Sequence, residues 1–240
     1  MSVNHRLIVP LDVASPAAAL ALVDQLPQVG FWKVGLELFI RSGPLVIQEL
    51  KARQKRIFLD LKLHDIPNTM AGACAAATSY GVDLLTLHAT AGTAALEAAR
   101  WAAQAEAEQA HLPLPVLVGV TLLTSMAPPD LARELQVPLS VGEYTLHLAH
   151  LAQTAGLGGV VCSPQEVALL RQVMPPEFVL VCPGVRPAWA QANDQRRTLT
   201  PLEALRAGAT YLVIGRPILT SADPVGVFDR ICEECSGLAD

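Results

Sequence analysis

Asp60, Lys62 and Asp65 fall in one short run, Ile57-Phe58-Leu59-Asp60-Leu61-Lys62-Leu63-His64-Asp65-Ile66-Pro67-Asn68-Thr69. The run begins as an apolar segment of strand length, and a spacing of two puts Asp60 and Lys62 on one face of a strand. Burying an acid and an amine there costs several kcal/mol unless each is paired. Pro67 and Asn68 then turn the chain away. Acid, amine and acid therefore collect at the C-terminal end of a strand, where α/β proteins keep their chemistry. A structural salt bridge satisfies the same pattern as a reactive charge cluster. What separates the two is whether other strands also end in polar residues.

They do. The segment from Leu7 to Val13 reads as a buried strand ending in Asp12, and Ser15-Pro16 opens the helix after it. Phe31 to Leu36 is a second strand with Lys33 inside it, and its helix is expected to be irregular at Gly43-Pro44. After the Asp60/Lys62 strand comes a helix from Ile66 to Tyr80, then a strand from Leu84 to Ala89 that carries His88, then an Ala-rich helix. Pro115 to Leu122 leads to the polar turn Thr124-Ser125, followed by a short helix near Pro129 and a longer one from Val141. Gly158 to Cys162 and Phe178 to Cys182 are strands six and seven, and Pro183-Gly184-Val185-Arg186 leaves the latter. A polar loop holds Asn193-Asp194-Gln195-Arg196-Arg197 before a helix start at Thr200-Pro201-Leu202-Glu203, which has a capping-box pattern. Tyr211 to Arg216 is strand eight, and Asp223-Pro224 opens the last helix.

Eight strands alternating with helical segments predict one closed (β/α)8 TIM barrel spanning residues 1–240, with no linker. In a barrel Asp12, Lys33, Asp60, Lys62, Asp65, His88, Thr124, Arg186, Gln195 and Arg216 converge on one mouth. Gly215-Arg216 occupies the phosphate-binding corner, where glycine admits backbone N–H groups to an anion and arginine grips it with two hydrogen bonds. His88 is read as a structural residue and receives no catalytic role.

Composition narrows the function. Of 240 residues 52% are hydrophobic and 16% charged, enough apolar material for one thick core. A net charge of -5 without a Lys or Arg run excludes nucleic acid as a bulk partner. The first residues lack the pattern of a signal peptide, and no apolar stretch reaches the ~20 residues of a membrane span. Five cysteines point to a reducing cytoplasm, and Cys232-x-x-Cys235 has no second Cys/His pair to make a metal site. Neither metal-ligand spacing nor a dinucleotide-binding glycine motif is present, so side chains and ligand are expected to do the chemistry without a cofactor.

The run Asp60-Leu61-Lys62-Leu63-His64-Asp65-Ile66-Pro67-Asn68-Thr69 resembles the signature D-x-K-x-x-D-I-x-x-T of orotidine 5'-phosphate decarboxylases. Leu11-Asp12, Lys33-Val34-Gly35, Leu87-His88-Ala89, Val120 to Ser125, Pro183 to Arg186, Asp194 to Arg197 and Ile214-Gly215-Arg216 agree in order. Ala91 and Asn193 depart from it, standing where glycine is common.

The resemblance implies decarboxylation of orotidine 5'-monophosphate to uridine 5'-monophosphate by a cofactor-independent homodimer. By similarity Lys62 protonates carbon 6 of the pyrimidine and Asp60 lies against the departing carboxylate. Lys33 bridges Asp60 and the ribose, and Asp12 holds a ribose hydroxyl. Asp65 and Thr69 reach the partner's site, and Thr124 contacts the base. Arg186, Gln195, Gly215 and Arg216 serve the phosphate, with residues 187–193 as the lid. Two other readings are compatible with the core motif. One is a magnesium-dependent 3-keto-L-gulonate 6-phosphate decarboxylase with the same D-x-K-x-x-D core; the other is a non-catalytic phosphate-ligand barrel, which has no need of both Asp60 and Lys62.

Overall fold

A computed structural model of the chain describes residues 3–190 and 199–237. Strands β1 (Leu7–Pro10), β2 (Phe31–Gly35), β3 (Arg56–Leu63), β4 (Leu84–His88), β5 (Val116–Val120), β6 (Gly159–Val161), β7 (Val179–Pro183) and β8 (Tyr211–Val213) pair in parallel, each with the next. β8 returns to β1, so the sheet closes as the expected (β/α)8 TIM barrel and has no open edge.

Alternation along each strand divides the apolar side chains into two layers. Ile8, Phe31, Phe58, Leu84, Val118, Val181 and Val213 point inward and fill the barrel. Their neighbours, among them Leu7, Val9, Trp32, Leu59 and Leu85, pack outward under the helices. Arg56 stacks on the ring of Phe31 at 4.0 Å and donates from Nη2 to the Tyr211 hydroxyl at 3.1 Å, on the side of the barrel where the strands begin. Two residues further along the same inward faces come Lys33, Asp60 and Thr86. The apolar filling therefore serves as a floor, and polar groups stand above it.

Helices follow the strands: α1 (Pro16–Gln25), α2 (Leu36–Ser42), α3 (Leu45–Ala52), α4 (Pro67–Ser79), α5 (Thr93–Ala110), α6 (Pro128–Arg133), α7 (Val141–Thr154), α8 (Val167–Arg171), α9 (Pro201–Arg206), α10 (Arg216–Leu219) and α11 (Pro224–Cys235). Local chemistry sets their starts. Ser15 Oγ accepts from Ala18 N–H at α1, and Thr200 and Glu203 form a reciprocal capping box at α9. The irregularity at Gly43-Pro44 is a full break between α2 and α3, with Gly43 at φ 56°.

Strand ends are shorter than their apolar runs. β1 stops at Pro10 and β8 at Val213, so Asp12 and Gly215 stand in the connections above the sheet and Arg216 opens α10. Among the described residues no helix is long and apolar enough to cross a membrane.

Candidate functional site

A row of alternating charges crosses the C-terminal mouth of β1, β2 and β3. Lys62 Nζ donates to Asp60 Oδ1 at 2.8 Å, Lys33 Nζ lies 3.4 Å from Asp60 Oδ2, and the same ammonium reaches Asp12 Oδ1 at 3.2 Å. Asp60 and Lys33 side chains are 12% exposed, Lys62 31% and Asp12 62%, so the middle of the row is enclosed and its two ends are more open. Burial alone pushes the Asp60 carboxyl up. The positive charges of Lys33 and Lys62, with hydrogen bonds from Lys62 and Thr86, outweigh it and hold this carboxyl below the usual carboxylate range.

A pH prediction follows for stability. A depressed carboxylate stabilises the fold fully above its ordinary value of roughly 3.9 and loses that contribution as pH falls through the lower folded value. The stability difference between the parent and Asp60→Asn is therefore expected to be constant near neutral pH and to shrink under strong acid. Urea midpoints at stepped pH values check this, and a difference unchanged at the most acidic pH contradicts it.

The strand that carries the acid and amine is not regular. β3 pairs with β4 at Leu59↔Leu85 and next at Leu63↔Leu87, four steps along one strand against two along the other. Lys62 takes a left-handed backbone, φ 50°, a conformation that costs an L-residue roughly 1 kcal/mol. The spacing of two thus brings Asp60 and Lys62 together through a bulge rather than through simple strand alternation.

The charged row lines one wall of a cavity of about 250 Å³. Thr124, Arg186, Gly215 and Arg216 lie around the rest of its rim, while Phe58, Val120 and Val213 form its apolar floor. Gly215 is glycine for a steric reason, because a Cβ there would stand 2.7 Å from Pro10 Cγ. Gly35 matters differently: a Cβ would come within 3.0 Å of Lys33 Nζ, close enough that the ammonium would have to shift slightly. Arg186, expected at the mouth after strand seven, is 7% exposed and donates from Nη1 to the Val185 carbonyl.

Asp65 and Thr69 do not line this cavity. Both are exposed at the head of α4, and Asp65 Oδ1 accepts from the Ile66 N–H at 2.7 Å. Gln195 and residues 191–193 of the expected lid lie outside the described residues. His88 stacks near His64, centroids 5.4 Å apart, and burial with the His64 and Lys62 charges lowers its pKa against an opposing pull from Asp60. Cys232 and Cys235 sit on α11 with thiols that burial pushes to about 11. Among the described residues no group of three or more His, Cys, Asp or Glu side chains is arranged to hold a metal.

Sequence inspection passed over Thr86. It is fully buried on β4, its hydroxyl donates to Asp60 Oδ1 at 3.1 Å, and it accepts the Lys62 N–H at 2.8 Å. A threonine in an apolar strand is unremarked on propensity grounds. Only the bulge opposite makes its hydroxyl informative.

Residues 5–231 match the family described as "Orotidine 5'-phosphate decarboxylase / HUMPS family". Orotidine 5'-phosphate decarboxylase of Nostoc sp. is 58% identical, over 96% of this chain and 97% of its own length. The protein of that name from Gloeothece citriformis is 57% identical, over 97% and 98%. Among solved structures, orotidine 5'-phosphate decarboxylase from Lactobacillus acidophilus superimposes with a TM-score of 0.84 at 34% identity, covering 96% of this chain and 99% of that one.

Proposed function

The chain belongs to the orotidine 5'-phosphate decarboxylase / HUMPS family, and from that membership and the cavity we propose that it decarboxylates orotidine 5'-monophosphate to uridine 5'-monophosphate in pyrimidine biosynthesis. The observation that carries this reading is the unbroken row Asp12–Lys33–Asp60–Lys62 on one wall of a cavity that Arg186 and Arg216 also line. A nucleotide has a phosphate for the rim, ribose hydroxyls for Lys33 and Asp12, and a carboxylated base for Asp60 and Lys62.

Loss of carbon dioxide leaves an electron pair on a ring carbon with little resonance relief. Lys62 Nζ supplies the positive charge that this pair needs and then the proton for carbon 6. Asp60 opposes the substrate carboxylate, by roughly 4 kcal/mol for unit charges 4 Å apart at an effective dielectric of 20. That repulsion vanishes as neutral carbon dioxide departs, while attraction to Lys62 grows, so the wall favours the transition state over the ground state. Thr124 meets the base, and Gly215, Arg216, Arg186 and Gln195 take the phosphate.

The charges that the sequence grouped as acid, amine and acid are completed between two copies of the chain. Asp65 and Thr69 face outward. Beside them Ile66 is 66% exposed, and on α2 Leu36 and Ile40, one turn apart, are 49% and 77% exposed. Exposed apolar side chains together with outward polar groups suit a homodimer in which Asp65 and Thr69 enter the partner's site. Mixing Asp60→Ala with Asp65→Ala protein is then expected to restore activity that neither has alone. Random exchange in a two-fold dimer leaves roughly a quarter of the sites intact. No recovery after verified subunit exchange contradicts a shared site.

The proposed activity is tested by following orotidine 5'-monophosphate absorbance with purified, chelator-treated protein. Consumption that persists with chelator supports it. Failure on this nucleotide, with turnover of a sugar phosphate on adding magnesium, points instead to 3-keto-L-gulonate 6-phosphate decarboxylation.

A further inference from the structure

We propose that Thr86 is a positioning residue for the reaction, its hydroxyl clamping the bulge in β3 so that the Lys62 ammonium and the Asp60 carboxylate are held as one preorganised pair. The inference rests on the decarboxylase reading for its kinetic consequence, but its structural content stands on the β3/β4 geometry alone.

Opposite Thr86 the β3 ladder is interrupted, and the Lys62 N–H finds the Thr86 hydroxyl oxygen at 2.8 Å. A buried N–H without a partner is strongly disfavoured, so this side chain is what lets Lys62 keep its left-handed backbone. The valine, isoleucine or leucine usual at a buried strand position has nothing to offer it.

The hydroxyl has a single proton. Because its oxygen accepts from the backbone of Lys62, that proton is directed at Asp60 Oδ1, 3.1 Å away. The same carboxylate oxygen receives Lys62 Nζ at 2.8 Å. Thr86, the Lys62 backbone, the Lys62 side chain and Asp60 thus form a closed ring of contacts, and loosening any member frees the lysine tip. Four steps of β3 against two of β4 leave two extra residues in β3, and regular pairing would carry the Lys62 N–H off the Thr86 hydroxyl.

Two consequences are measurable. The charged and titratable groups that face Asp60 are Lys33 from β2, Lys62 on its own strand and His88 from β4, with Asp12 reached through Lys33. Thr86 is the neutral donor among them. Without its hydroxyl the Asp60 carboxyl rises toward its ordinary value, so the acid limb of kcat moves to higher pH. A displaced ammonium also lowers kcat with little change in substrate affinity, since misplacement of about 1 Å costs on the order of 100-fold.

The experiment compares the parent with Thr86→Val, which keeps shape and removes the hydroxyl, and Thr86→Ser, which restores it. Thr86→Val is expected to lose on the order of 10- to 100-fold in kcat with KM within about threefold, and to show the raised acid limb. Thr86→Ser is expected to recover both. Thr86→Cys, with a weak donor of similar size, falls between them and replaces Thr86→Val if that variant does not fold. Amide hydrogen exchange at Lys62 supplies a readout independent of turnover, with protection in the parent and Thr86→Ser and its loss in Thr86→Val or Thr86→Cys. A parent inactive on orotidine 5'-monophosphate overturns the decarboxylase reading while the exchange result still decides the clamp. An active parent with unchanged kcat, pH limb and Lys62 exchange in the hydroxyl-free variants overturns the proposal.

Discussion

Lys62→Ala is expected to bind nucleotide while losing at least on the order of 10⁴ in kcat. Proton transfer by a positioned side chain is worth about 10²–10⁴, and a preorganised group aimed at developing charge about 10²–10³. Lys62 is proposed for both roles, so truncation removes both. It also leaves Asp60, the most enclosed acid of the row, with Lys33 as its remaining cationic partner at 3.4 Å. Nucleotide is nevertheless retained, because the groups assigned to phosphate are other residues of the cavity lining and are untouched. Equilibrium binding of uridine 5'-monophosphate and turnover at saturating substrate separate the two effects. A variant that binds nucleotide and turns over at the parental rate refutes the catalytic assignment.

Arg216→Ala is expected to weaken nucleotide binding by about 10- to 150-fold, because hydrogen bonds to a charged partner contribute about 1.5–3 kcal/mol and 1.4 kcal/mol is tenfold. The corresponding nucleoside, which has no phosphate, is expected to bind the variant and the parent within about threefold of each other. Turnover suffers as well as affinity, since a grip remote from the reacting carbon supplies energy that orders the site around it. Titrating parent and variant with uridine and with uridine 5'-monophosphate reads this directly. Equal losses for both ligands contradict a phosphate role at Arg216.

The barrel was legible because its strands are continuous apolar runs, as a parallel sheet covered on both faces requires. Asp60 and Lys62 were legible for the converse reason, as charges where such a run should have none. Boundaries were less so: the apolar run through Leu11 and Val13 suggested a first strand reaching Asp12, yet the ladder ends at Pro10 and lifts the acid above the sheet. The left-handed backbone at Lys62 left no trace, since lysine, unlike glycine or asparagine, does not advertise that conformation. Thr86 was hidden by its ordinariness as a strand residue, whereas Arg186 was legible as a residue of the mouth but not as a buried one. Asp65 illustrates a different limit. Its spacing from Lys62 suggested one cluster, but within a single chain it is exposed and does not line the cavity, so its place in the site rests on the proposed homodimer.

The proton-delivery role of Lys62 is tested most directly by product formation in deuterium oxide, with chelator present, for the parent and Lys62→Ala side by side at saturating orotidine 5'-monophosphate. The expected result is carbon dioxide and uridine 5'-monophosphate bearing deuterium at carbon 6 from the parent, and bound but unconverted nucleotide from the variant over the same interval. Equal product from the two proteins, or none from the parent, would contradict it.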